Sequence, residues 1–148
     1  MNIAIGCDHG GFTLKNTLIA YLTEQGHQAR DFGCYSTDSM DYPDMAFPVA
    51  EAVARGEYER GVVICTTGVG VSICANKVQG IRCALCTNVH MAEMTRRHND
   101  ANMLALGEQV LEPELAKEIL NTFLTVPFDG GERHVRRIGK ICAYEESR

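Results

Sequence analysis

Gly61-Val62-Val63-Ile64-Cys65-Thr66-Thr67-Gly68-Val69-Gly70 is the stretch whose reading decides the fold. Its first half is a short apolar run, β-branched at three successive positions and opened by glycine, the pattern of a strand buried on both faces. Its second half is rich in hydroxyls and glycine and turns the chain into a short helix that reaches Asn76. A buried strand that passes through a glycine turn into a helix is the repeating unit of a parallel sheet covered by helices.

The same unit recurs outward in both directions. Asn2–Cys7 reads as a first strand, followed by Gly10-Gly11 and a helix with Leu14, Leu18, Tyr21 and Leu22 on one stripe, stopped at Gly26. Residues 28–32 form a second strand, closed by Gly33, and a polar loop runs through Ser36, Asp38 and Asp41 to Pro43. A helix carrying Val49, Ala50 and Val53 then extends to about Arg55-Gly56. Residues 81–86 are a fourth strand, 89–98 a helix, and 102–106 a fifth strand ended by Gly107. Pro113 opens a helix with Leu115, Ile119, Leu120 and Phe123, and a basic helix covers about 131–145. Lys15, Asn16, Arg96 and Arg97 read as solvated helix surface. The expectation is one doubly wound, Rossmann-like α/β domain over residues 1–148, with about five parallel strands and helices on both faces.

Composition narrows the function classes. The 148 residues are 45% hydrophobic and 22% charged, enough for one core without covalent staples. No apolar run approaches the ~20 residues that span a bilayer. The net charge of -5 argues against non-specific nucleic-acid binding. The first residues read directly as a strand, with no basic segment or signal peptide before them, which predicts a cytoplasmic chain. The seven cysteines are odd in number and several lie in apolar runs, so free thiols are expected rather than a disulfide framework. Cys83-Ala84-Leu85-Cys86 is a lone pair without a second pair at zinc-site spacing, and no metal site is expected.

Ligands of open α/β sheets bind outside the carboxyl ends of the strands. Two loops there stand out: Gly6-Cys7-Asp8-His9-Gly10-Gly11 after the first strand and Cys65-Thr66-Thr67-Gly68-Val69-Gly70-Val71-Ser72 after the third. Both enter helices, whose free amides favour anions. Neither is a nucleotide motif. No lysine follows the glycines as a P-loop requires, and the third glycine of the dinucleotide fingerprint is missing. Asp8 would also sit where a pyrophosphate lies. A small anion or a hydroxylated ligand suits these loops better than NAD.

Cys65 ends a buried strand at a helix entrance, a position that suits a reactive thiol, and equally one more core cysteine. His9 is either a ligand-facing turn residue or part of a turn capped by Asp8. His98 closes the helix before the fifth strand and so lies at the amino edge of the sheet, whereas Cys65 and His9 lie at the carboxyl edge. Strands of five or six residues separate those edges by about 17–20 Å. If His98 shares their site, a second subunit must bring it; otherwise it is a helix-terminal residue favoured by the dipole. Arg133 and Arg137, four apart in Arg133-His134-Val135-Arg136-Arg137-Ile138-Gly139-Lys140, share a helix face and either converge on one phosphate or line a solvated basic helix.

Together these residues resemble the type B ribose-5-phosphate isomerase family, which includes allose- and galactose-phosphate isomerases. The resemblance covers nearly the whole chain: Gly6-Cys7-Asp8-His9-Gly10-Gly11-Phe12, Asp41-Tyr42-Pro43, Cys65 to Gly70, Ser72 to Asn76-Lys77, Gly80-Ile81-Arg82, His98-Asn99-Asp100-Ala101-Asn102, and Arg133 to Arg137. It implies a cofactor-free, metal-free aldose–ketose isomerisation of a phosphorylated sugar through a cis-enediolate. On that resemblance Cys65 moves the proton between C2 and C1, and Thr67 assists proton movement between the oxygens. Amides from Thr66 through Gly68, Val69 and Gly70, extending to Val71 and Ser72, stabilise the enediolate oxygen. The resemblance further implies that His98 of a second subunit opens the furanose ring, that Asn99 holds the sugar, that Asp8 and Tyr42 contact its oxygens, and that His9, Arg133 and Arg137 hold the phosphate. It implies a homodimer, or a tetramer, with shared sites.

Two departures stand out. Thr66 replaces a frequent glycine, and Gln109 of Gly107-Glu108-Gln109 replaces a frequent arginine that helps bind substrate. Ribose 5-phosphate is the leading substrate. The alternatives are the same chemistry on allose 6-phosphate or another aldose phosphate, and a non-catalytic sugar-phosphate-binding subunit.

Overall fold

The computed structural model describes all 148 residues. Five strands, β1 (Asn2–Cys7), β2 (Gln28–Asp31), β3 (Arg60–Cys65), β4 (Cys83–Leu85) and β5 (Met103–Gly107), alternate with helices. The helices are α1 (Phe12–Glu24), α2 (Pro43–Ala54), α3 (Val69–Ala75), α4 (Val89–Asn99), α5 (Pro113–Thr125) and α6 (Glu132–Glu146). All strand pairs are parallel, in the order β2-β1-β3-β5-β4. The doubly wound α/β expectation holds.

Alternation along the strands divides the core. Ile3, Ile5, Val62, Ile64, Leu104 and Leu106 face α1, α4 and α5, whereas Ala4, Val63, Cys65, Met103 and Ala105 face α2 and α3. Because side chains alternate with period two, each central strand is apolar throughout and feeds both layers. The order places β5 between β3 and β4, so the loops leaving β1, β3 and β5 are neighbours at the carboxyl edge.

The fourth strand is shorter than residues 81–86. Asn76 takes both backbone groups of Cys83, accepting from its N–H at 2.8 Å and donating to its carbonyl at 2.9 Å. The Arg82 N–H goes to the Asn102 side chain at 2.9 Å. Asn76 thus satisfies the open edge of Cys83, while on the other side Cys83 pairs in register with Met103 and the Arg82 carbonyl accepts from the Asn102 and Met103 N–H groups.

Two cations expected on the surface are buried. Lys15 is 0% exposed: its ammonium donates to both Asp31 oxygens, at 2.8 and 3.0 Å, and to the Cys34 carbonyl. It stitches α1 to the end of β2, and a buried ammonium is tolerable only with such full pairing. Arg96 is 3% exposed, donating to Asp100 at 2.9 Å and to the Val126 carbonyl at 3.2 Å, with Phe123 under its guanidinium. Asn16 is exposed, as expected.

The basic helix α6 stands off the core. His134 is its one buried residue, while Val135, Ile141 and Tyr144 are 53, 53 and 67% exposed. No helix is long and apolar enough to cross a membrane.

Candidate active site

The loops after β1 and β3 lead to helices on opposite faces, the arrangement that opens a crevice at a topological switch point. They touch each other. The Asp8 N–H donates to the Ile64 carbonyl at 3.2 Å, and a Cβ on Gly10 would lie 2.2 Å from Thr66 Oγ1. Only glycine permits that approach.

Asp8 is buried and caps the turn His9–Gly11, its Oδ1 accepting from the Gly10 N–H at 2.9 Å. Oδ2 has no partner in the chain and is available to a hydroxylated ligand. The capping and ligand readings of this loop are therefore compatible. His9 Nδ1 accepts from the Met40 N–H at 3.2 Å, which selects the tautomer with the proton on Nε2, a donor for an anion. The Met40 segment continues to Tyr42, whose ring lies against Gly70: a Cβ there would be 2.8 Å from it.

Cys65 closes β3 with only 6% of its surface exposed, and its Sγ accepts from the Gly68 N–H at 3.1 Å. Gly68 turns the chain at φ +80, and a Cβ there would lie 2.8 Å from the Leu106 backbone. Glycine is needed on both counts. Thr67 Oγ1 accepts from the Val69 N–H at 3.3 Å. The amides of Gly70 and Val71, in the first turn of α3, have no partner in the chain. The Ser72 hydroxyl donates inward, to the Val69 carbonyl at 2.7 Å, so its oxygen can still accept but its proton is engaged. Gln109 is exposed, and its backbone N–H donates to the Thr66 carbonyl at 3.1 Å, placing it on the rim of the same loop.

Four further thiols are held protonated by burial. Burial, with Cys34 adjoining, pushes Cys7 up to about 12, and burial alone pushes Cys86 up to about 12. Cys74 and Cys83 are raised for the same reason, so these four stay protonated and inert at neutral pH.

His98, Asn99, Arg133 and Arg137 gather elsewhere. His98 and Asn99 end α4, whose 11 residues run back to the amino edge over about 16 Å. Arg133 and Arg137 lie in the first turns of α6, and the His98 ring stacks on that of His134 with centroids 4.2 Å apart and planes 12° apart. The chain thus does not bring Cys65 and His98 together; the two groups of residues lie at opposite edges of the sheet. His98, His134 and Asp129 place one ligand atom each within 4.8 Å of the others. A metal must lie near the plane of each imidazole, and two stacked planes share no such point, so the trio is not a preformed metal site. A groove of 750 Å³ lined by Asn76, Arg82, Asn99, Ile141 and Tyr144 also lies away from Cys65. It carries the exposed Ile141 and Tyr144 of α6.

His134 entered the sequence reading only as part of a basic run. Its burial depends on α4 packing across it, which no local pattern in α6 reveals.

The fold is a doubly wound α/β sheet with two glycine-rich loops meeting at its carboxyl edge. The chain belongs to the Ribose/Galactose Isomerase family, whose model matches residues 3–141. It is 47% identical to ribose-5-phosphate isomerase B of Escherichia coli, over 99% of this chain and 97% of that one. The solved ribose-5-phosphate isomerase B of Clostridium thermocellum is 53% identical, with TM-score 0.97 over 99% of both chains. The Mycoplasma genitalium enzyme solved with bound ribulose-5-phosphate is 40% identical, with TM-score 0.95 over 99% of this chain and 97% of that one.

Proposed function

We propose that the chain interconverts ribose 5-phosphate and ribulose 5-phosphate in the cytoplasm, as a cofactor-free step of the pentose phosphate pathway. The observation that carries the mechanism is the Cys65 sulfur held 3.1 Å from the Gly68 N–H beside the unpartnered amides of Gly70 and Val71. A base next to a row of oriented donors is what proton abstraction beside a carbonyl requires.

Cys65 takes the proton from C2 and returns it to C1, while the amides hold the enediolate oxygen. Thr67 relays the proton between the two oxygens. Asp8 Oδ2 and Tyr42 bind sugar oxygens, and His9 meets the phosphate. The remaining contacts come from a second copy of the chain: His98 opens the ring, Asn99 holds the sugar, and Arg133 and Arg137 close on the phosphate. That assignment is supported by the two groups lying at opposite edges, and by Val135, Ile141 and Tyr144, which α6 leaves exposed. Remote phosphate contacts of this kind orient the carbon chain for reaction.

The test is a coupled assay of the purified chain on ribose 5-phosphate in the presence of a chelator and without nucleotide. Ribulose 5-phosphate should form at an undiminished rate; no turnover, or turnover only with added metal, refutes the reading. The uncharged Gln109 on the rim favours one second reading, in which the preferred sugar is allose 6-phosphate or another aldose phosphate. Gln109→Arg should lower KM for ribose 5-phosphate about 10- to 150-fold, the value of one charge-assisted phosphate contact. A ranked panel of five- and six-carbon aldose phosphates, with both proteins, checks it.

A further inference from the structure

His134 is the single buried residue of a helix otherwise open to solvent, and it touches two groups that face the substrate in the reading above. Its ring face covers that of His98, with centroids at 4.2 Å and planes 12° apart. Its Nε2 accepts from Arg133 Nε at 3.4 Å. We infer that His134 is a positioning residue that aims both the His98 imidazole and the Arg133 guanidinium, so that ring opening and phosphate grip are set by one side chain. The inference rests on His98 acting in ring opening and Arg133 in phosphate binding.

The geometry separates this role from a proton relay. Imidazole nitrogens donate and accept in the plane of the ring, so two stacked rings cannot pass a proton directly between them. What the stack does is restrict rotation of the His98 ring, leaving its nitrogens free at the edge. The Arg133 contact requires a lone pair on Nε2, which selects the neutral tautomer of His134 with its proton on Nδ1. Burial pushes the His134 pKa down; Asp129, its carboxylate 3.7 Å from Nε2, opposes this, while His98, Arg133 and Arg137 reinforce it. A neutral ring there matters, because a cation against the face of His98 would oppose the charge His98 gains on taking up a proton.

Asp129 completes the frame. Its N–H donates to the Arg97 carbonyl at 3.3 Å, and its Oδ1 accepts from the Gly131 N–H at 2.8 Å. The start of α6 is thereby tied to the last turn of α4, which fixes the distance between the two rings.

Substitutions of similar bulk separate the two contacts. His134→Phe keeps a flat face and loses the acceptor; His134→Gln keeps an acceptor and loses the face. The readout is kcat/KM for two aldoses, because ribose 5-phosphate arrives as a closed furanose whereas erythrose 4-phosphate, with its C4 hydroxyl esterified, cannot close one. His134→Gln should lose at least tenfold in kcat/KM for ribose 5-phosphate and less than twofold for erythrose 4-phosphate. His134→Phe should show no such split between the two aldoses, and should raise KM severalfold for both. Equal losses on both aldoses with Gln, or no loss with either variant, overturn the inference. His98→Asn measured alongside tells the two failures apart. If it shows no split between the two aldoses, the ring-opening reading itself falls; if it does and the His134 variants do not, only the positioning role falls.

Discussion

Cys65→Ala should abolish turnover in both directions, lowering kcat by roughly 10²–10⁴, the contribution of a positioned general base. Substrate binding should persist, because the phosphate and hydroxyl contacts assigned above lie on other residues. Isothermal titration with ribose 5-phosphate and progress curves from either sugar give the two quantities separately. A wild-type kcat in the alanine variant would remove Cys65 as the base. Loss of binding together with kcat would mean that the thiol holds the loop in shape instead of moving a proton. Cys65→Ser is the finer probe: it keeps a hydroxyl where the Gly68 N–H points, but its proton is far harder to remove, so kcat should stay near the alanine value.

The second large effect concerns subunit sharing. His98→Asn should cut kcat/KM for ribose 5-phosphate by about a hundredfold, a low value for a lost acid–base group, and largely spare erythrose 4-phosphate, an aldose with no furanose to open. Cys65→Ala and His98→Asn dimers, each nearly inactive on ribose 5-phosphate, should regain activity when mixed and allowed to exchange subunits. In a two-fold interface each mixed dimer holds one intact site and one doubly defective site, and random exchange makes half the dimers mixed, so about a quarter of wild-type activity should return. Mass spectrometry of isotopically labelled subunits establishes that exchange has occurred. Proven exchange with no recovery would place both groups in sites built from one chain, contrary to the shared sites proposed above.

Much of this arrangement was legible in the sequence because it is local. The apolar run at Val62-Val63-Ile64 and the glycine turns that follow β1 and β3 fix the strand-to-helix units, and the helix after β4 must return to the amino edge before β5 can start parallel. That is why the separation of His98 from Cys65 could be anticipated. What the sequence hid is tertiary. Lys15 falls on a helix stripe with no sign that Asp31 and the Cys34 carbonyl will receive its ammonium. Arg96 looks identical to half-buried Arg97 until Val126 and Phe123 close over it. His134 lies among exposed arginines, and only the packing of α4 singles it out. In each case the deciding partner is remote in sequence or belongs to another element, so neither periodicity nor motif spacing can report it.

The burial of Lys15 has a practical corollary. Of the four lysines, Lys77, Lys117 and Lys140 reach water, while Lys15 has no accessible surface. An amine-acylating reagent added to the native chain will tag the first three and pass over the fourth, which becomes reactive only when α1 lifts from the end of β2. Peptide mapping of that one amine is therefore an internal gauge of how often the sheet's outer corner opens.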